Sequence, residues 1–222
     1  MSCDKCSDRG YILTDGREWA GFCDCDKGVN LKKSMWEKTL ASVGVPKEYF
    51  EKELEHLYPQ VSVKHKQFVE RVSRAVENID LVINSSSLWA IYGDSGTGKS
   101  LGAILILKEM LRKGKSCKYI MWTTLLDKRL NPSPEEPNII DALRKVDLLV
   151  IDDIGKDSMR TDSKYPNETL ERIIKNRYSN QKPSILIFSD EYDVVANRLP
   201  VCRDLFGTDS ITEVRGLNYR LR

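Results

Sequence analysis

Residues 93–100 read Gly93-Asp94-Ser95-Gly96-Thr97-Gly98-Lys99-Ser100, a phosphate-binding loop of the form G-x-x-x-x-G-K-[ST]. It follows the apolar run Leu88-Trp89-Ala90-Ile91-Tyr92 and opens into the helix-like stretch from Leu101 to Leu111. Strand, glycine-rich turn and helix in that order aim backbone N–H groups at a phosphate chain. Lys99 then reaches the β- and γ-phosphates of a nucleoside triphosphate, and the Ser100 hydroxyl ligates Mg²⁺. All eight residues are candidate nucleotide contacts, and Lys99 is also a candidate catalytic group.

About fifty residues on, Val146-Asp147-Leu148-Leu149-Val150-Ile151-Asp152-Asp153 is an aliphatic strand ending in two acids, the Walker B pattern. Buried parallel strands read as continuous aliphatic runs. Their carboxyl ends face the crevice where ligands bind in open α/β sheets. Asp152 is expected to hold Mg²⁺, and Asp153 to orient or deprotonate an attacking water. The two motifs together point to a nucleotide-hydrolysing enzyme.

The 222 residues can hold one full α/β domain with a small appendage. With 35 basic against 33 acidic residues, no bulk field argues for nucleic acid, so any DNA contact is a local patch. The apolar stretches fall short of the ~20 residues of a membrane span. Met1-Ser2-Cys3-Asp4-Lys5 lacks the apolar core of a signal peptide. A soluble, cytoplasmic protein without a membrane partner is expected.

Four of the six cysteines fall in the first 25 residues, as Cys3-x-x-Cys6 and Cys23-x-Cys25. Two close pairs flanking a short hairpin suit a tetrahedral four-cysteine Zn²⁺ site. Asp15-Gly16 supplies a turn between Gly10–Leu13 and Trp19–Phe22, which can pair as strands. So small a segment has little core of its own, and structural zinc contributes roughly 10–16 kcal/mol in small modules. Disulfides or a redox thiol pair are the competing readings. Cys117 and Cys202 have no close cysteine neighbour and read as buried filler.

Periodicity predicts helices over 30–43, 47–57 and 61–83. Strands and helices then alternate: strand 88–92, helix 99–113, strand 118–122, helix near 124–130, strand 146–151, helix 168–180 and strand 184–189. Such alternation specifies a parallel sheet with helices on both faces. The proline-rich stretch Leu130 to Pro137 cannot be helix interior.

These residues resemble the DnaC/DnaI-type replicative helicase loaders, AAA+ ATPases related to the IstB transposition helpers. The likeness rests on Gly44-Val45-Pro46-Lys47-Glu48-Tyr49-Phe50, Ile151-Asp152-Asp153-Ile154-Gly155, Asn176-Arg177-Tyr178 and Lys182-Pro183-Ser184-Ile185-Leu186. The cysteine head is similar to the zinc-binding head of the DnaI-like branch, which docks on the helicase. The resemblance implies an α/β AAA+ P-loop core over 59–222. Before it come a zinc module over 1–28 and a helical helicase-docking or linker segment over 29–58. It further implies a slow ATPase, stimulated by assembly or DNA, that delivers a hexameric helicase to single-stranded DNA at replication initiation. An IstB-like helper, or a nucleotide-gated adaptor with little hydrolysis, are the alternatives.

Two departures stand out. The family's sensor strand ends in Thr-Ser-Asn, and here it reads Phe188-Ser189-Asp190; an ionised Asp190 cannot donate to a γ-phosphate. The closing Glu213-Val214-Arg215-Gly216-Leu217-Asn218-Tyr219-Arg220 resembles the family's Gly-x-Asp-Tyr-Arg and leaves no room for a separate lid domain. Asn197-Arg198-Leu199 makes Arg198 the candidate arginine finger toward a neighbouring subunit, with Arg203 and Arg177 behind it. For a single strand of DNA, Lys156, Arg160, Lys164 and Tyr165, and Lys128 and Arg129 beside Trp122, offer basic and aromatic groups.

Overall fold

The computed structural model describes residues 3–14, 18–85, 87–132, 138–155, 165–189 and 210–219, side chains at 165–167 excepted. The chain forms two compact units, residues 1–50 and 51–222.

In the first unit β1 (Tyr11–Leu13) and β2 (Trp19–Phe22) pair antiparallel, as expected of the two short stretches flanking Asp15-Gly16. The Asp15-Gly16 turn lies outside the described residues. Helix α1 (Asp26–Ser42) begins at Cys25. It ends where Gly44, at φ 96°, lets its own N–H reach Ala41 O and the Val45 N–H reach Leu40 O, both at 3.0 Å. This is a Schellman stop, sealed by the buried Leu40 and Val45 side chains. The Gly44-Val45-Pro46 signature is thus a helix terminator.

The single helix expected over 47–57 is instead two 3₁₀ turns, Lys47–Tyr49 in the first unit and Leu54–His56 in the second. The latter is held by reciprocal capping, the Glu53 backbone N–H donating to His56 Nδ1 at 3.1 Å.

The second unit holds a five-stranded parallel sheet of order β4-β5-β6-β3-β7. Its strands are β3 (Leu88–Gly93), β4 (Cys117–Met121), β5 (Leu148–Ile154), β6 (Ser184–Phe188) and β7 (Ile211–Val214). Alternate residues serve opposite faces. Leu88, Ala90, Leu149 and Ile151 join a core with Trp122, Leu125, Leu143, Leu170 and Ile173. These last residues belong to α5 (Trp122–Leu130), α6 (Ile139–Lys145) and α7 (Tyr165–Ser179). On the other face α4 (Lys99–Arg112) packs on α2 (Val63–Glu77), where Phe68 and Val72 crowd Gly102. A short α3 (Ile79–Ile83) follows a break at Asn78, dividing the helix expected over 61–83.

Sequence reading missed α6 and β7. Seven-residue α6 starts where the Asn138 side chain accepts from the Ile140 N–H at 3.0 Å. Strand β7 carries Thr212 and Glu213 at a sheet edge and pairs in register with β3 from Ala90↔Ile211 to Gly93↔Val214. Among the described residues no α-helix follows α7, and no helix is long and apolar enough to cross a membrane.

Candidate nucleotide site and cysteine cluster

The glycines of the phosphate loop answer to local geometry. Gly93 has φ 122°, and a Cβ there would stand 2.1 Å from the Val214 carbonyl oxygen of β7. Gly98, at φ 87°, precedes Lys99 at the N-terminus of α4 and, as the N-cap residue, offers no side chain to the first-turn N–H groups. Lys99 Nζ curls over the loop, donating to Gly93 O at 2.8 Å and Asp94 O at 2.7 Å. Thr97 is buried, its hydroxyl donating to Asp94 O at 2.8 Å.

Residues far away in sequence clamp this loop. His65 is fully buried; its Nδ1 accepts from the Gln60 N–H at 3.3 Å, so Nε2 carries the proton and donates to Thr97 O at 3.0 Å. Burial pushes the His65 pKa below its ordinary 6.5, against the opposing pull of the Thr97 carbonyl. From the other side Arg215 Nη1 donates to Asp94 Oδ1 at 2.8 Å and the Gly216 N–H to Oδ2 at 3.2 Å. The Tyr219 N–H reaches Gly96 O at 2.9 Å, and Asn218 fills the space that a Cβ on Gly96 would need. Gln60 ties the two clamps together, donating to Leu217 O at 2.8 Å and accepting from its N–H at 2.6 Å. Sequence reasoning missed Gln60, His65 and Arg215 as site residues; the one signal was the closing motif that contains Arg215.

The acid pair ends β5. Pairing between β5 and β6 is interrupted between Ile151 and Ile154, and Asp153 sits at φ 59°. Successive side chains of a strand already face opposite sides, and such an irregularity re-aims the one it carries. Asp152 is 4% exposed, its Oδ1 accepting from the Asp153 N–H at 2.7 Å. Its Oδ2 accepts from the Tyr119 hydroxyl at 2.5 Å. Asp153 itself is exposed. Two adjacent carboxylates thereby have separate environments: one fixed, one open to solvent. Ser189 lies beyond β6, its hydroxyl in the space beside Gly155.

Other expected site residues fare differently. Arg177 is buried within its own unit, donating to Ser184 Oγ and to the carbonyls of Leu143, Val146, Asp147 and Pro183. It cannot reach a neighbouring subunit; it staples the ends of α6, β5 and β6. Trp122, read as an aromatic platform for DNA, is fully buried in the core and cannot stack on a base. Asp190, Arg198, Arg203, Lys156, Arg160, Lys164 and Cys202 lie outside the described residues, as does the Tyr165 side chain. Cys117 is buried filler as expected, and burial pushes its thiol up to about 12.

In the first unit the sulfurs of Cys3, Cys6, Cys23 and Cys25 all lie within 4.8 Å of one another. Cys3 and Cys23 are 3.7 Å apart and Cys6 and Cys25 3.6 Å, with no disulfide among them. Zn–S bonds of about 2.3 Å set the edge of a tetrahedral site at about 3.8 Å, which these spacings match. Backbone contacts build the cluster: the Cys23 N–H donates to Gly10 O at 3.0 Å, and a Cβ on Gly28 would stand 1.8 Å from Cys23 O. A hydrogen bond from the Gly10 backbone draws the Cys6 thiol down to about 7, with the neighbouring thiols adding to it.

A parallel sheet of order β4-β5-β6-β3-β7, with the phosphate loop at the end of β3 and the acid pair near the end of β5, has the AAA+ P-loop NTPase fold. The particular proteins this chain is similar to are the DnaC/DnaI-type replicative helicase loaders. It is 28% identical over 132 residues to the replicative helicase loader DnaC of Escherichia coli K12, covering 58% of this chain and 53% of that protein. The chain thus spans about half the length of the curated relatives it matches. No protein-family model matches it. Among solved structures, DnaI superposes with a TM-score of 0.61 at 18% identity, over 79% of this chain and 94% of that one. The DnaC helicase loader gives 0.60 at 19%, over 77% and 100%. The replication initiator DnaA bound to AMPPCP and single-stranded DNA gives 0.60 at 20%, over 78% and 51%. At these identities the structural likenesses establish the fold.

Proposed function

We propose that the chain is an ATP-dependent loader that binds a hexameric replicative helicase and delivers it to single-stranded DNA. The observation that carries this reading is a complete phosphate loop and, on a strand of the same parallel sheet, a buried Asp152 followed by an exposed Asp153, in a chain similar to a DnaC loader. Lys99 leaves the loop carbonyls to neutralise the β- and γ-phosphates of ATP. Ser100 and Asp152 offer hard oxygen ligands that fit Mg²⁺. Held there, Mg²⁺ would supply positive charge against the triphosphate, while Ser100 and Asp152 orient it. Asp153 orients the attacking water, and Arg198 of an adjacent copy completes the site on self-association.

Cys3, Cys6, Cys23 and Cys25 hold Zn²⁺, and this head over 1–28, with the segment over 29–58, docks on the helicase in the cytoplasm. The ATPase domain over 59–222 grips DNA. The γ-phosphate biases one assembly state, and hydrolysis removes that bias. A second reading, a nucleotide-gated adaptor with little turnover, is favoured by the acid at position 190.

Size-exclusion chromatography with light scattering, on mixtures with the host helicase under ATP, under ADP and after zinc removal, tests the proposal. A stoichiometric complex that requires the zinc head supports it; no complex under any nucleotide overturns it. Asp153→Asn separates the two readings, trapping a working ATPase on its partner and leaving an adaptor unchanged.

A further inference from the structure

Strand β4 brings one buried polar side chain to Asp152 that the roles above leave unused. In the parallel β4–β5 ladder Tyr119 lies opposite Val150, and Met121 opposite Asp152. From there the Tyr119 side chain, 3% exposed, carries its hydroxyl to Asp152 Oδ2 at 2.5 Å, and lies 3.6 Å from the Met121 sulfur. The other carboxylate oxygen takes the Asp153 N–H at 2.7 Å. Asp152 is therefore gripped at both oxygens, one from the neighbouring strand and one from the bulge in its own. A carboxylate that ligates a metal with one lone pair needs its remaining lone pairs satisfied, or its rotamer is set by chance.

We infer that Tyr119 is a positioning residue that fixes Asp152 for Mg²⁺ and so sets the magnesium requirement of nucleotide binding. The inference rests on the nucleotide site proposed above. A phenol serves here because its donor stands at the tip of a rigid ring; a shorter hydroxyl at this position of β4 would not span the strand spacing. The isosteric phenylalanine removes the donor and keeps the packing. Partners of this kind affect metal affinity about 10- to 100-fold.

The test is a Mg²⁺ titration of fluorescent ATP-analogue binding, with the Mn²⁺ bound in the same complex counted by electron paramagnetic resonance. Tyr119→Phe is expected to raise the half-saturating Mg²⁺ about tenfold. Nucleotide affinity in EDTA stays unchanged, while the melting temperature without nucleotide falls because Asp152 Oδ2 loses its buried donor. In an Asp152→Asn background the same substitution should have no effect on the Mg²⁺ requirement, because the group it acts through is gone. Met121→Leu, which removes only the sulfur contact, should leave the titration unaltered. A Tyr119→Phe protein with the wild-type Mg²⁺ requirement overturns the inference and leaves the nucleotide site standing. An equal shift in the Asp152→Asn background overturns it too. A wild-type protein that binds no nucleotide at any Mg²⁺ concentration overturns the site as well.

Discussion

The Arg215 guanidinium donates from Nη1 to Asp94 Oδ1 at 2.8 Å, so the segment after β7 holds the first variable position of the phosphate loop. Through Nε it also donates to Glu213 Oε1 at 2.6 Å, and Glu213 pairs with Lys64 of α2. A string of alternating charges runs from α2 to the loop. Removing Arg215 leaves the Asp94 carboxylate uncompensated beside an incoming triphosphate. Because the pair is half exposed, Arg215→Met should change folding stability by less than about 1 kcal/mol. Nucleotide affinity should fall roughly fivefold, and less so at high salt. Titration with a fluorescent ATP analogue at two ionic strengths checks both.

His65 predicts a pH dependence of stability. Its pKa in the folded protein lies below the unfolded 6.5 because burial disfavours the imidazolium. Between those two values the unfolded chain binds more protons, so stability falls as pH drops through 6.5 and levels off below the folded pKa. His65→Phe should abolish that contribution. It also leaves Thr97 O and the Gln60 N–H unpaired in the interior, costing about 1–3 kcal/mol. Urea unfolding of both proteins from pH 7.5 to 5 measures the difference, and equal slopes would refute the assignment.

Gly93→Ala places a Cβ against backbone that cannot yield, the Val214 carbonyl at 2.1 Å. The loop or β7 must move. We expect a loss of more than about 2 kcal/mol in stability together with loss of nucleotide binding. An unaltered crystal structure or affinity would contradict the geometry.

Arg177 should behave as a structural residue. Arg177→Met strands four backbone carbonyls and is expected to destabilise the protein by more than about 3 kcal/mol. Conservative surface substitutions on α7, such as Lys175→Gln, should do little. Thermal melting decides it. A folded Arg177→Met protein defective only in assembly would restore the subunit-boundary role.

Zinc analysis should give one ion per chain. Replacing Cys23 by Ser should remove it and expose residues 3–28 to proteolysis, since that segment has little apolar core. An intact, protease-resistant segment without metal would count against the site.

What was legible in the sequence was what short-range pattern encodes. The aliphatic runs at Leu88–Tyr92 and Leu148–Ile151, and the glycines between strand and helix, define β3, β5 and α4. The two cysteine pairs announce their cluster. What escaped was made by distant contact. Strand β7 has only four residues, and nothing in Ile211–Val214 says that it will extend β3. Helix α6 is too brief for a period to show. His65 reads like any histidine on an amphipathic helix until Gln60 and Thr97 close around it. Tyr119 and Trp122 sit three residues apart in one apolar stretch. The fold sends one to a carboxylate and the other into the core.

If nucleotide state governs helicase delivery as proposed, it shows in the unwinding of a forked DNA whose single strand is coated with single-strand-binding protein, with the host helicase limiting. Wild-type protein with ATP is expected to stimulate unwinding, and Lys99→Ala and Cys23→Ser are expected not to. Equal stimulation by all three proteins, or none by the wild type, would contradict the proposal.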